Sequence, residues 1–168
     1  DKNFLDLGTG SGCLIISVLE ELKYCQGIGI DISESAISIA IKNKENINRD
    51  SNLSFYVNDF SNFDTKGFDV IICNPPYVPL AELNEIQKEV INFEPHLALF
   101  PKDGTIDCYE KIIKNIKLTN DKKCYVFFEI DYRDDNLISN ILKDNNFSVI
   151  AIENDYTNRP RCIVSKMN

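Results

Sequence analysis

A glycine-rich segment near the start of the chain has the residue types that let a ligand approach the backbone. It runs Asp6-Leu7-Gly8-Thr9-Gly10-Ser11-Gly12, after a short apolar run and before a helical pattern. In open α/β sheets such a turn is a ligand site, because the helix N-terminus offers free N–H groups and a positive dipole end. The turn does not follow the Gly-x-Gly-x-x-Gly pattern of dinucleotide-binding folds, because Cys13 stands where the third glycine would be needed. It also lacks the Gly-Lys-Ser/Thr of a P-loop. The turn therefore predicts a nucleoside ligand without a pyrophosphate.

Acidic and amide residues stand where the polar groups of a nucleoside would lie. Asp31 ends the second apolar run, 19 residues after Gly12, and an acid about 20 residues on normally takes the ribose hydroxyls. Asn58-Asp59 ends the third run, where an adenine edge is expected, and Asp6 is placed to orient the amino group of an amino-acid moiety. Each has a structural alternative: a helix-terminal acid for Asp31, an ordinary turn for Asn58-Asp59 and a hydrogen bond to the loop for Asp6.

The segment Asn74-Pro75-Pro76-Tyr77 predicts a site for a planar NH2 group. Two prolines remove two backbone donors and fix φ, so the loop is stiff. The Asn74 side chain and the Pro75 carbonyl are then preset acceptors for both hydrogens of an amide or an aromatic exocyclic amine, and Tyr77 can pack flat on that group. The alternative is a proline-stiffened turn in which Asn74 caps backbone groups.

Short apolar runs alternate with helical periods, and this order predicts the scaffold that positions these segments. Such alternation is typical of βαβ units around a parallel sheet. Strands are predicted at 4–7, 27–31, 53–57, 68–73, 124–130, 147–152 and 162–165. Helical faces are predicted from Leu14, Ile15, Val18, Leu19 and Leu22; from Ala36, Ile37, Ala40 and Ile41 after an N-cap at Ser33; from Ile106, Tyr109, Ile112, Ile113 and Ile116; and from Leu137, Ile138, Ile141 and Leu142. We expect one α/β domain with a doubly wound, mostly parallel, seven-stranded sheet.

The composition is that of a globular domain with an acidic surface. The chain has 168 residues, 26 acidic and 18 basic side chains, a net charge of -8 and 43% hydrophobic content, enough for one core. We expect no tight binding to nucleic acid, which needs a basic surface, and neither a membrane span nor a secretory signal. The six cysteines lack a C-x-x-C pair and are expected to be small buried hydrophobes in a reducing compartment. His96 is the only histidine, so no zinc site is expected.

Taken together, these segments resemble the motifs of class I S-adenosylmethionine-dependent methyltransferases that methylate planar nitrogens. Residues 90–99, with Asp103-Gly104 and Tyr109, narrow the resemblance to the HemK/PrmC family, whose members methylate the glutamine of the Gly-Gly-Gln motif in peptide-chain release factors. The resemblance covers essentially the whole chain. It departs at Pro101-Lys102, where the family commonly has Gly-Gly, and at 131–134, where it commonly has Gly-x-x-Gln. The segments Glu129-Ile130-Asp131-x-Arg133 and Arg159-Pro160-Arg161 look more like organelle-type eukaryotic members.

The resemblance implies a Rossmann-like methyltransferase fold with an antiparallel last strand, S-adenosylmethionine as cofactor and S-adenosylhomocysteine as product. Cofactor contacts are expected from Asp6, Gly8, Thr9, Gly10, Gly12, Asp31, Ile32, Asn58, Asp59 and Asn74. Catalysis is expected from Asn74, Pro75 and Tyr77, and substrate binding from these residues with Pro76 and Glu94. Glu94 has the alternative role of holding its own loop, and His96 is expected to be a surface or packing residue.

The resemblance also implies a partner and a place. Residues 1–168 are expected to form the catalytic domain, without the helical substrate-recognition domain that precedes the glycine turn in the family. We expect a monomer in the cytoplasm or an organelle matrix that methylates a release factor. The alternatives are a methyltransferase for exocyclic amines of RNA or DNA, a methyltransferase for ribosomal-protein glutamine, and a non-catalytic partner subunit that binds S-adenosylmethionine.

Overall fold

The computed structural model describes residues 2–47, 52–75 and 105–168, in which strands and helices alternate. The strands are β1 (Asn3–Leu7), β2 (Gln26–Asp31), β3 (Leu53–Val57), β4 (Val70–Cys73), β5 (Tyr125–Glu129), β6 (Phe147–Asn154) and β7 (Pro160–Met167). The helices are α1 (Cys13–Glu21), α2 (Glu34–Ile47), α3 (Thr105–Thr119) and α4 (Asp135–Asp144).

The strands form one sheet in the order β3-β2-β1-β4-β5-β7-β6. Strands β1 to β5 pair in parallel, whereas β7 runs antiparallel to both β5 and β6. The predicted seven-stranded, mostly parallel sheet with an antiparallel last strand is therefore confirmed. Because parallel strands end at the same edge of a sheet, the segments that follow β1, β2, β3 and β4 all lie along one edge.

Helices cover both faces of the sheet, as in a doubly wound fold. One apolar cluster joins α1 and α2 to the sheet, with Ile15, Leu19, Ile37 and Phe55 among its buried members. The other joins α3 and α4 to the opposite face, and it includes Leu5, Leu7, Ile71, Tyr109, Ile112, Ile116, Phe128, Ile138 and Leu142. The inner strands are apolar on both sides because both of their faces are covered.

Most helices and strands begin and end within a few residues of their predicted bounds. Ser33 precedes α2, and its hydroxyl accepts a hydrogen bond from the N–H of Ala36 at 3.3 Å, as an N-cap does. Strand β4 begins at Val70 rather than Phe68, because the N–H of Phe68 bonds back to the carbonyl of Thr65 and extends the preceding turn. The outer residues of the predicted helical faces are half exposed: Leu14, Leu22, Ile41 and Leu137.

The cysteines are only partly as predicted. All six are free thiols, and Cys73, Cys108 and Cys124 are buried. The expectation of burial is wrong for Cys13, which is exposed at the first position of α1 and accepts a 3.2 Å hydrogen bond from the hydroxyl of Ser11. Its apolar sequence neighbours include Ile15 and Ile16, which turn inward on the helix while Cys13 turns outward.

Within residues 2–47, 52–75 and 105–168, no helix combines the length and the apolar character that crossing a membrane requires.

Candidate functional site

The turn after β1 is folded back onto β2 by its own backbone. The N–H groups of Gly8 and Thr9 both donate to the carbonyl oxygen of Ile30, at 2.9 and 2.8 Å. Gly10 has a φ of 55°, a left-handed conformation that favours glycine, and a Cβ added there would meet nothing within 4 Å. The turn is therefore open on one side, where a ligand can reach the backbone.

Gly12 ends the turn and has a different role. Its φ is 77°, and an added Cβ would lie 2.9 Å from Cζ of Phe55 and 3.1 Å from Cβ of Ala40. Its carbonyl oxygen accepts the N–H of Ile16, so α1 starts directly after it. Gly12 thus lets the start of α1 pack tightly against α2 and β3, with the first N–H groups of the helix beside the turn.

Asp6 is a buried carboxyl on the last part of β1. Only 2% of its surface is exposed, and its Oδ2 accepts a 2.7 Å hydrogen bond from the hydroxyl of Thr9. Burial raises the pKa of Asp6 to about 7, the Thr9 hydrogen bond opposes this shift, and the negative charge of Asp31 adds to it. This side chain therefore holds the turn, which is the structural alternative from the sequence, and its contact with an amino group stays a prediction.

Asp31 ties the glycine turn to the start of α2. Its Oδ2 accepts the N–H of Gly10 at 2.9 Å, and its Oδ1 accepts the N–H of Ser33 at 2.9 Å. A carboxylate offers about four lone-pair sites, so both oxygens keep acceptor capacity for hydroxyl groups. Ile32, the next residue, is 62% exposed at the same edge.

Asn58 and Asp59 lie next to Asp31 because β3 pairs with β2. The N–H of Asn58 donates to the carbonyl oxygen of Asp31 at 2.9 Å, and the Asn58 side chain is exposed. Oδ1 of Asp59 accepts both the N–H and the hydroxyl of Ser61, at 2.8 and 2.7 Å. The turn predicted for Asn58-Asp59 is thus present, and Asn58 presents its side chain to solvent at its start.

Asn74 follows β4, which pairs with β1 on the other side. Leu7 and Cys73 are register partners at the ends of β1 and β4, so Gly8 and Asn74 directly follow the two strands. The Asn74 side chain is exposed, and Pro75 is buried. Residues Pro76, Tyr77, Glu94 and His96, with Pro101-Lys102, lie outside the described residues, so their predicted roles stay predictions.

The thiol beside Asn74 is not a reactive group. Burial raises the pKa of Cys73 well above its ordinary value, and Cys108 and Asp6 add to the shift. The neutral thiol donates a hydrogen bond to the carbonyl oxygen of Leu7 at 3.2 Å. Cys73 therefore helps to fix β4 against β1 and leaves Asn74 as the polar side chain at the end of β4.

Beyond β4, the same edge of the sheet continues with the segment that follows β5 and with the β6–β7 hairpin. The guanidinium of Arg133 donates to both oxygens of Asp131, at 2.9 and 2.6 Å. Arg161 donates to the carbonyl oxygen of Ile130 at 3.2 Å and pairs with Asp155 at 3.3 Å. The segment 131–134, where the family pattern is not followed, thus contains a two-point ion pair.

Sequence reasoning missed Asn115 of α3. Its side-chain amide donates to the carbonyl oxygens of Phe60 and Phe63, at 3.2 and 2.8 Å, in the connection that follows Asp59. The available signal was a polar residue within an apolar face, three positions after Ile112 and one before Ile116.

Comparison with known proteins agrees with this architecture. A family described as "Methyltransferase domain" matches residues 1–158. The release factor glutamine methyltransferase of Fusobacterium nucleatum is 38% identical over 99% of this chain and 47% of its own length. The enzyme of the same name from Thermodesulfovibrio yellowstonii is 35% identical over 97% of this chain and 58% of its own length. The chain thus spans about half the length of the curated relatives it matches, and the resemblance inferred from the motifs is confirmed.

A solved structure with the same fold is the magnesium protoporphyrin IX methyltransferase of Synechocystis PCC 6803 with bound S-adenosylmethionine. It superposes with a TM-score of 0.67 over 99% of this chain and 70% of that one, at 20% sequence identity. At this identity the likeness concerns the fold, and it confirms the Rossmann-like methyltransferase architecture.

Proposed function

The chain belongs to the methyltransferase-domain family, and from that premise we propose that it transfers the methyl group of S-adenosylmethionine to the side-chain amide of a glutamine. The acceptor in this proposal is the glutamine of the Gly-Gly-Gln motif of a peptide-chain release factor. The observation that carries the proposal is the adjacency of two segments: Asn74 follows a strand whose register partner leads directly into the glycine turn.

The residues of the turn fit the proposed cofactor. Bound S-adenosylmethionine supplies a methyl group already activated by its sulfonium charge. The open side of the turn at Gly8 and Gly10 leaves room for it, Asp31 keeps acceptor capacity for the ribose hydroxyls, and the turn at Asn58-Asp59 would meet the adenine edge. The carboxylates of Asp31 and Asp59 along one edge favour a cationic ligand.

The acceptor amide would be held by Asn74 and Pro75. An amide nitrogen is a poor nucleophile because its lone pair is delocalised, so alignment of the NH2 group with the methyl group matters most. Positioning of this kind can contribute about 7–11 kcal/mol. Acceptors at Oδ1 of Asn74 and at the Pro75 carbonyl would disperse the positive charge that develops on nitrogen, and the proton would leave to water after transfer. Tyr77, Pro76 and Glu94 are proposed to complete the substrate pocket.

The choice of a release factor over other acceptors is supported by the relatives that carry this name. An exocyclic amine of RNA or DNA would fit the same pair of acceptors, but the net charge of -8 disfavours a nucleic-acid substrate. Ribosomal-protein glutamine is a second possible acceptor. Six free thiols support a reducing compartment such as the cytoplasm or an organelle matrix, and we propose that the protein acts as a monomer.

A labelling experiment tests the proposal against its alternatives. The protein is incubated with methyl-labelled S-adenosylmethionine and, in separate reactions, a release factor, a ribosomal protein and RNA. We expect the label on the release factor, on the glutamine of its Gly-Gly-Gln motif. Label on RNA alone or on the ribosomal protein alone would replace the proposed acceptor. Cofactor binding without transfer to any of the three would favour the non-catalytic partner subunit.

A further inference from the structure

Asn115 is a polar residue in the apolar face of α3. Its neighbours on the helix, Ile112, Ile113 and Ile116, are fully buried, and Asn115 itself is half-buried. A buried amide is costly unless its hydrogen-bonding groups find partners. The side-chain amide of Asn115 therefore needs hydrogen-bond partners within the fold.

The amide of Asn115 closes a turn in the connection between β3 and β4. Both contacts come from Nδ2, which donates to the carbonyl oxygen of Phe60 at 3.2 Å and to that of Phe63 at 2.8 Å. The rings of Phe60 and Phe63 pack against the apolar cluster on the same side of the sheet. A single side chain thus joins two points of the connection to α3.

This turn begins directly after Asp59. On its strand side, the N–H of Asn58 is fixed to the carbonyl oxygen of Asp31. Within the turn, Asp59 holds Ser61 through two hydrogen bonds, and Asn115 holds the carbonyl of the intervening Phe60. The Asn58-Asp59 pair is therefore fixed by β2 at one end and by α3 at the other.

We propose that Asn115 is a positioning residue for base recognition, which holds the Asn58-Asp59 turn in the geometry that distinguishes adenine from other bases. The inference rests on the proposed function, in which this pair meets the adenine edge of the cofactor. Adenine presents an amino group at its 6-position, a donor that suits the carboxylate of Asp59. Hypoxanthine presents a carbonyl oxygen there, which a carboxylate repels.

Asn120 provides a matched control. Its Nδ2 also donates to two carbonyl oxygens of the same connection, those of Thr65 at 2.9 Å and Phe68 at 3.2 Å. These contacts are at the far end of the connection, next to the start of β4. Replacement by alanine thus removes two amide-to-carbonyl hydrogen bonds in both variants, and in Asn120→Ala also the acceptor of the Lys122 N–H. Only Asn115 lies next to the turn that starts at Asp59.

The test measures the affinities of the full chain for S-adenosylhomocysteine and S-inosylhomocysteine by isothermal titration, with thermal unfolding recorded for each variant. We expect the wild type to prefer the adenine form and Asn115→Ala to weaken binding of that form by about five- to tenfold. The inosine form should be affected less, so that the preference shrinks. Asn115→Ser, with one donor left, should be intermediate, and Asn120→Ala should lose stability but keep the wild-type preference.

Asp59→Ala separates the two possible failures. If Asp59→Ala abolishes the preference and both Asn115 variants keep it at the wild-type value, Asn115 has no positioning role and the inference is wrong. If the wild type shows no preference, or Asp59→Ala leaves it intact, the assigned adenine edge is wrong and the inference is overturned with it. If Asn120→Ala loses the preference to the same degree, the effect of Asn115→Ala comes from a general loss of stability of the β3–β4 connection. This result would also contradict the inference.

Discussion

The N–H of Gly10, in the turn after β1, donates a 2.9 Å hydrogen bond to Oδ2 of Asp31 at the end of β2. The other carboxylate oxygen of Asp31 accepts the N–H of Ser33. One side chain thus fixes both the glycine turn and the start of α2. Because the same carboxylate is assigned to the ribose hydroxyls, the shape of the turn and the affinity for the cofactor should depend on it together.

Replacement of Asp31 by alanine should weaken cofactor binding by about tenfold or more, because charged hydrogen bonds to the ribose are lost. It should also lower the free energy of unfolding by about 1–3 kcal/mol, since the N–H groups of Gly10 and Ser33 lose their partner. Isothermal titration and urea unfolding measure the two effects. Asp144→Ala, which removes an equal charge at the end of α4, is the control. Unchanged affinity in Asp31→Ala would remove the ribose assignment.

Gly10→Ala and Gly67→Ala form a pair that separates backbone strain from access to the ligand. Both glycines have positive φ, 55° and 83°, and an added Cβ meets nothing within 4 Å at either position. Each variant should therefore lose about 1–2 kcal/mol of stability from the left-handed backbone. Only Gly10→Ala should also lose cofactor affinity, because its Cβ occupies the open side of the turn. Equal affinities in the two variants would show that the ligand does not approach Gly10.

The buried carboxyl of Asp6 predicts a specific pH dependence of stability. Burial raises its pKa from 3.8 to about 7, so between these values the folded state binds more protons at this residue than the unfolded state. Stability should therefore fall as the pH rises from about 4 to 7, by up to about 4 kcal/mol, and should lose nothing further from this group above 7. Among the described residues, the negative charge of Asp31 also raises the pKa of Asp6.

The measurement compares the unfolding free energies of wild type and Asp6→Asn across that pH range. Asparagine keeps an acceptor for the Thr9 hydroxyl but does not ionise, so Asp6→Asn should gain on the wild type as the pH rises. Asp64→Asn, at an exposed position, serves as the control for the change in net charge. Curves for wild type and Asp6→Asn that stay parallel from pH 4.5 to 7.5 would contradict the prediction.

The sequence predicted the fold well because its signals are local. Strand β3 was predicted at 53–57 and is observed at Leu53–Val57, and the periodicity of Ile112, Ile113 and Ile116 identified α3. Features that depend on the pairing of strands were harder to predict from the sequence. Strand β6 extends to Asn154, two residues beyond its predicted end, and its pairing with β7 contains two register shifts. The position of β7 between β5 and β6 depends on contacts between strands that are distant in sequence, which a local pattern does not predict.

The sequence predicts which of the described candidate residues lie at strand ends along one edge of the sheet, but it does not predict all of their hydrogen bonds. The spacing of glycines and acids predicts Asp31, and the segment Asn74-Pro75-Pro76-Tyr77 predicts Asn74; both residues lie at the ends of parallel strands, which meet at one edge of the sheet. The contacts of Asp31 with Gly10 and of Asn115 with Phe60 depend on packing between elements that are distant in sequence. Cys13 shows the same limit, because apolar sequence neighbours do not determine which way a residue faces on a helix.

Asn74 is proposed to hold the acceptor amide beside the cofactor, and the variant Asn74→Ala removes this acceptor. Methyl transfer to the release factor glutamine is measured by mass spectrometry, beside titration with S-adenosylmethionine, for wild type, Asn74→Ala and the exposed control Asn136→Ala. We expect Asn74→Ala to lose about a hundredfold or more in turnover with cofactor affinity nearly intact, and Asn136→Ala to match the wild type. Wild-type turnover in Asn74→Ala would show that Asn74 does not hold the acceptor amide.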